Sequence, residues 1–389
     1  MVIRRNVHFT EGNQLTLLTC GDAFFPALIT AMESAQSELF LETYLFSDDI
    51  TGNQVEQALC RAAQRGVSVH VIVDWLGTGH QRSMELGRTL QAAGVHFRCF
   101  NPWFRHGITR THRKLFVADR RIAMIGGINI THDLLHKGHS QSILPFPRWD
   151  FAVTVQGPLV NEIHELMQIQ WQRLGKISWS TRLGMLKKKI KPSPHLHTPI
   201  LACLAPRDNL LYRSTIQKAY LEALDNAKDE VLLVTPYFAP SRTFRNALIN
   251  AAQRGVRVTL LIGYGDFALQ DAVAHSYYPK LLNHGVRIVE YHKSQLHAKV
   301  AVIDRHWCTI GSSNCDGLSL FINQEANILI KDHTFSVLLS DAIQIGIDEG
   351  VNIHQADYNT IRWYRRFWYG CAFFIYSAIM RVIAIEGFM

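Results

Sequence analysis

Cysteine is sparse and poorly spaced for structural work. The 389 residues include 7 cysteines, Cys20, Cys60, Cys99, Cys203, Cys308, Cys315 and Cys371, with no C-x-x-C pair among them. That spacing excludes a zinc knuckle and a disulfide framework, so the thiols read as reduced and mostly buried. The opening MVIRRNVHFTEGNQ lacks the apolar core of a secretory signal. Long apolar runs are missing too. The best candidate, FWYGCAFFIYSAIM, offers 14 residues between Arg366 and Arg381, too few to cross ~30 Å of hydrocarbon. No acidic cluster suits magnesium and no His/Cys spacing suits zinc. A metal-independent, cofactor-free chemistry is the expectation.

What is present is apolar and basic. Hydrophobic residues make up 48% and the formal net charge is +8. A core of good size can be buried, and an anionic partner is favoured: a phosphodiester, a nucleic acid or an acidic lipid surface. Aromatics flanked by Arg362, Arg365, Arg366 and Arg381 predict a terminal helix lying in a membrane interface, with a docked helix as the alternative.

The chain is written twice. RAAQRGVSVHVIVD (61–74) recurs as NAAQRGVRVTLLIG (250–263), AQSELFLETYLF (35–46) as AKDEVLLVTPYF (227–238), and LQAAGVHFRCF (90–100) as LLNHGVRIVEY (281–291). Each copy reads as an amphipathic helix, a glycine stop and an apolar strand. The expected class is α/β: two duplicated lobes, each a mostly parallel sheet flanked by helices, related by a pseudo-twofold axis. The expected divisions are a first lobe over 1–172, a basic Pro-containing linker or flap over 173–199, a second lobe over 200–360 and an amphipathic tail over 361–389.

One motif occurs in both copies. HRKLFVADRRIAMIGGIN carries His112, Lys114, Asp119, Gly126, Gly127 and Asn129; HAKVAVIDRHWCTIGSSN carries His297, Lys299, Asp304, Gly311, Ser312 and Asn314. A lone H-x-K is ordinary; matched spacing in two copies is not. Residues i and i+2 of a strand share a face, so each His–Lys pair can converge on one ligand. Two lysines and two asparagines fit a single phosphoryl group, with the small GG and GS turns letting backbone approach an anion. One histidine would attack phosphorus and the other serve the leaving and entering oxygens. Glu325, 28 residues after His297, and Asp150, 38 after His112, are expected to orient the imidazoles. Asp119 and Asp304 join the catalytic candidates, although strand-end positions favour a loop-holding role. Trp103–Phe104 reads as core, with an acyl-chain entrance as the alternative.

The paired H-x-K-x4-D motifs with their G-G/S turns resemble the phospholipase D superfamily. LETYLF, WDFAVTVQGPLV and LHAKVAVIDRHWCTIGSSNCDGLSLFINQEANILI resemble its bacterial cardiolipin synthases, of the shorter subfamily without N-terminal transmembrane helices. The resemblance, over about residues 12–335, implies a bilobal fold with His112 as nucleophile, His297 as acid/base, and Lys114, Lys299, Asn129 and Asn314 on the phosphate. It implies phosphatidyl transfer between two phosphatidylglycerol molecules, with phosphatidylethanolamine as an alternative partner. The expected setting is peripheral, on the cytoplasmic face of a bacterial inner membrane, without nucleic acid. Competing readings are a hydrolase of phospholipid or nucleic-acid phosphodiesters and a non-catalytic scaffold.

Overall fold

The computed structural model describes residues 8–104, 107–136, 143–175 and 200–383, so most of the expected linker at 173–199 lies outside the described residues. The first half contributes β1 (Thr10–Thr19), β2 (Glu38–Thr43), β3 (Ser68–Asp74), β4 (His96–Phe100), β5 (Leu115–Ala118), β6 (Ile122–Gly126) and β7 (Phe151–Gln156). The second contributes β8 (Ile200–Arg207), β9 (Glu230–Thr235), β10 (Phe238–Ala239), β11 (Arg257–Gly263), β12 (Arg287–Tyr291), β13 (Val300–Ile303), β14 (Trp307–Gly311), β15 (Cys315–Asp316), β16 (Glu325–Lys331) and β17 (Val351–Ile353).

The repeated A-A-Q-R-G stop works as its composition demands. Gly66 and Gly255 take φ of +89° and +93°, a conformation that costs glycine nothing. Val67 and Val256 then donate back to Ala62 and Ala251, closing helices Ile50–Gln64 and Arg242–Gln253 before β3 and β11.

Fifteen strands form one sheet, ordered β17-β12-β11-β9-β13-β14-β16-β8-β1-β7-β6-β5-β2-β3-β4. Without edge strand β17, the order exchanges the halves about an axis between β1 and β8. The α/β class and the duplication hold. Two separate, mostly parallel sheets do not. Among the described strands of this sheet, β2-β3-β4 and β9-β11-β12 run parallel, while β5, β6, β7, β1 and their counterparts pair antiparallel; β10 and β15 form a separate parallel pair. The reason is local: β5 returns as β6, and β13 as β14, through tight turns that leave no crossover helix. Apolar runs do not reveal this, because both kinds of strand are buried on both faces here.

Alternate residues fill separate cores. Leu39, Leu41, Val71 and Phe116 pack in the first half, and Val231, Leu233, Leu260 and Ala301 in the second. Phe40, Val117, Leu232 and Val302 share a third core spanning both halves. Residue contacts also bring β6 and β7 against β14 and β16, making an inter-lobe seam.

The two tight turns place Asp119 and Arg120 at φ of 50° and 54°, and Asp304 and Arg305 at 52° and 54°. Asp119 accepts from the backbone N–H of Gln36, Ser37 and Glu38 and from the Ser37 hydroxyl. Asp304 accepts from Lys228, Asp229 and Glu230. Burial alone would raise the Asp119 carboxyl, but those hydrogen bonds outweigh it and hold it near about 2.

The tail does two things at once. Helix Trp363–Ile383 packs on Ala268–Leu282, burying Ala372 and Met380, while Gly317 N–H donates to the Tyr376 hydroxyl at 2.9 Å. Its outer face leaves Trp363 and Phe374 79% and 72% exposed, with Phe367 alongside. Trp103 and Phe104 correct the core reading: both are exposed, clustered with Trp75 at the ends of β3 and β4. The seven cysteines are free.

Because asparagine tolerates positive φ, Asp119→Asn or Asp304→Asn isolates the hydrogen bonding. Each should lower unfolding free energy by about 1–2 kcal/mol in a urea titration near neutral pH. The wild-type contribution of Asp119 is present above the unfolded carboxyl value and disappears as pH falls towards 2. An unchanged urea midpoint would remove the anchoring role.

Candidate active site

The motif histidines sit just ahead of β5 and β13, and what holds them comes from the opposite half. His112 N–H donates to the Gln324 carbonyl at 2.8 Å, and Gln324 N–H donates to Arg110. His297 N–H donates to Trp149 at 2.8 Å, and Trp149 N–H donates to Gln295. These two short parallel bridges, Thr111 with Gln324 and Trp149 with Leu296, set each histidine beside the carboxylate that follows its bridging partner.

The pairing is therefore crossed. His112 Nδ1 lies 3.1 Å from both carboxylate oxygens of Glu325 and 3.0 Å from the Ser312 carbonyl. His297 Nδ1 lies 2.6 Å from Asp150 Oδ2. Chain distance had set each carboxylate nearer the histidine of its own half. A carbonyl oxygen can only accept, so Nδ1 of His112 carries a proton and donates it. The Tyr44 ring meets the His112 ring edge-on at 4.9 Å and fixes its plane.

The lysines lie underneath. Lys114 Nζ donates to the His112 carbonyl at 2.7 Å, and Lys299 Nζ to that of His297. Burial pushes Asp150 up to about 6 and Glu325 up to about 7, and both lysines oppose the rise at both carboxylates. Both ammonium groups thus act on both acids, and the two motifs form one electrostatic cluster. Asn129 and Asn314 are buried nearby, each with its side-chain oxygen lacking a partner. A buried polar atom left unpaired costs ~1–3 kcal/mol, and it occurs at the same position in both halves.

The small turns serve the protein's own acids. A Cβ on Gly127 would fall 2.2 Å from Asp150 Oδ1, so glycine makes room for the carboxylate rather than for an outside anion. At the matching position Ser312 donates its hydroxyl to Glu325 Oε2 at 2.5 Å. Asp119 and Asp304 lie past the far ends of the strands that follow the lysines, on the order of 15 Å from them at the rise of a β-strand, where their carboxylates hold backbone N–H groups.

Several supporting residues carried no signal in the motif search. Asp74 accepts from Thr111 N–H at 2.8 Å, and the Thr111 hydroxyl donates to Glu42, which is fully buried and raised by that burial. Arg113 is buried and donates to the carbonyls of Glu325 and Arg207, tying the lobes together. The usable clue was unequal repeats: Arg113 stands where the second motif has Ala298, and Glu42 where the second repeat has Val234.

A family description, "Cardiolipin synthase, PLD-like domain", matches residues 28–140 and 220–344, one segment in each half. The chain is 38% identical to cardiolipin synthase B of Salmonella typhi over 341 residues, 86% of this chain and 80% of that protein. It is 30% identical to a cardiolipin synthase of Clostridium perfringens over 343 residues, 85% and 70% of the two chains. The phosphatidylserine synthase of Haemophilus influenzae shares the fold, with a TM-score of 0.71 at 14% identity over 97% of each chain.

The raised carboxyls give a pH signature. A group whose folded pKa lies above its unfolded value stabilises at low pH and loses that contribution as pH rises through the folded value. Unfolding free energy should therefore fall as pH rises from the unfolded carboxyl value of about 4 and level off above the folded values, about 6 for Asp150 and about 7 for Glu325. Glu325→Gln should flatten that slope in chemical denaturation at pH 5 and pH 8. An equal slope in the variant would mean that Glu325 does not hold its proton through this range.

Proposed function

Since the chain belongs to the PLD-like cardiolipin synthase family, we propose that it joins two phosphatidylglycerol molecules into cardiolipin and glycerol at this seam. Membership makes it a phosphatidyltransferase; the donor, the acceptor and the individual roles are proposed. The crossed imidazole–carboxylate pairing carries it. Two oriented imidazoles, two lysines and two open amides in one cluster suit substitution at a single phosphorus atom.

In the proposed first step Nε2 of His112 attacks the phosphorus of one phosphatidylglycerol. The bond to the glycerol oxygen breaks, and protonated His297 delivers its proton to that oxygen. Glycerol leaves and a phosphatidyl-histidine remains. In the second step His297 takes a proton from the hydroxyl of another phosphatidylglycerol, whose oxygen attacks phosphorus. The phosphorus–nitrogen bond breaks and cardiolipin forms. Asp150 stabilises the imidazolium of His297, and Glu325 holds the ring of His112 in its reactive tautomer. Lys114, Lys299, Asn129 and Asn314 balance charge on the phosphoryl oxygens. Phosphatidylethanolamine fits as an alternative donor or acceptor, since the cluster contacts phosphate rather than headgroup.

Attachment is proposed through the outer face of the tail helix and the cluster of Trp75, Trp103 and Phe104. Among the described residues no helix is long and apolar enough to cross a membrane, and a peripheral position suits both surfaces. Free thiols and a net charge of +8 favour the reducing, anionic cytoplasmic face of a bacterial inner membrane.

Purified protein and phosphatidylglycerol vesicles, incubated with a chelator, should yield cardiolipin and glycerol in equal amounts. His112→Ala should lower the rate on the order of 10³-fold or more. Phosphatidic acid as the sole product would replace synthesis by hydrolysis; full activity in the variant would end the phosphohistidine scheme. Replacing Trp363, Phe367 and Phe374 together by serine should weaken partition onto those vesicles at least tenfold, about 1.4 kcal/mol. Unchanged partition would take membrane attachment away from the tail.

A further inference from the structure

Away from the seam, a cleft of about 560 Å³ opens between helices Arg242–Gln253 and Ala268–Leu282 and the tail helix. Its walls carry Arg242, Arg245, Lys280 and Arg366, and no carboxylate. Arg242 and Lys280 form no ion pair with any described residue. Arg245 donates to the Pro240 carbonyl and lies 4.3 Å over the Tyr277 ring; Arg366 donates to the Tyr358 carbonyl. Those carbonyls are neutral, so four positive charges face one space without a counter-charge. Two acids act on lining residues from behind: Glu290, which His275 approaches to 3.1 Å and His292 to 3.2 Å, and Asp271, which accepts from Gly265 N–H at 3.1 Å. Gln355 adds a buried side-chain oxygen without a partner at the rim.

The tail helix leaves this space open. A Cβ on Gly370 would meet nothing within 4 Å, so no neighbour requires glycine, although mid-helix glycine costs roughly 0.5–1 kcal/mol. At about 100° per residue, Arg366, Gly370 and Phe373 form the edge over the cleft. Trp363, Phe367 and Phe374, the exposed stripe, come next around the helix. A ligand seated here would have its anionic group among the cations and its apolar part beside residues suited to a lipid interface.

We propose that this cleft binds the phosphate headgroup of an anionic phospholipid as a second, non-reacting site, holding one lipid beside the tail helix. The choice of phospholipid rests on the proposed function; the cleft's preference for an anion rests on its own charges.

The test uses the full chain carrying His112→Ala, titrated calorimetrically with short-chain phosphatidylglycerol below its micelle concentration. Two lipids per chain are expected, one at the seam and one in the cleft. Gly370→Glu, which puts an acid into the cleft, should leave one. Gly370→Ala should keep two, separating loss of the site from loss of the helix. Arg242→Gln with Lys280→Gln, both at exposed positions, should weaken the cleft lipid at least tenfold without unfolding risk. Stoichiometry indifferent to Gly370→Glu and to the double variant overturns the proposal. So does equal binding of phosphatidylcholine, or displacement of the cleft lipid by equimolar inorganic phosphate. A change from one lipid to none with Gly370→Glu upholds the cleft and refutes phosphatidylglycerol at the seam.

Discussion

Each imidazole in the seam depends on an acid that the other half supplies. The two backbone bridges, Thr111 with Gln324 and Trp149 with Leu296, are small, but they decide where every reactive atom stands. They carry Glu325 under His112 and Asp150 under His297, and with them the lysines that share both carboxylates. For the two motif histidines, neither half supplies both the ring and its acid. Burial makes these pairs costly to misplace, because an acid taken out of water and left without its partner is far less stable than one kept in contact. The seam therefore orders the chemistry and locks the lobes at the same time.

Much of this was legible in the residues. The H-x-K spacing declared which histidines and lysines would gather, and the repeats declared the duplication and the helix stops at Gly66 and Gly255. The crossing was not legible, since His112 and Glu325 lie 213 positions apart and no local pattern records a tertiary bridge. Strand direction was misread because Leu-Phe-Val-Ala and Val-Ala-Val-Ile are apolar at every position, a pattern shared by any strand buried on both faces. The Asp-Arg turns lack the Asn-Gly or Asp-Gly pairs that usually announce a tight hairpin. Asp119 and Asp304 recur with the histidines, and their strand-end positions had already favoured the turn-holding role that both copies display.

The halves are alike in outline and unequal in detail. Ser312 gives Glu325 a hydroxyl donor, whereas Gly127 leaves Asp150 with none at the matching place. Arg113, buried across the lobes, has only Ala298 as its counterpart. Glu42 adds a buried acid behind His112 where the second repeat has Val234. The two rings consequently occupy different electrostatic settings although their motifs match. A nucleophile and a proton carrier need such a difference.

The sheet's axis between β1 and β8 has one more implication. A symmetric pair of separate chains would have to give both histidines the same surroundings, because any change in one would appear in the other. Writing both copies into a single polypeptide lifts that identity. The glycine of one turn and the serine of the other could then diverge, so that a symmetric shell encloses two imidazoles in unlike surroundings.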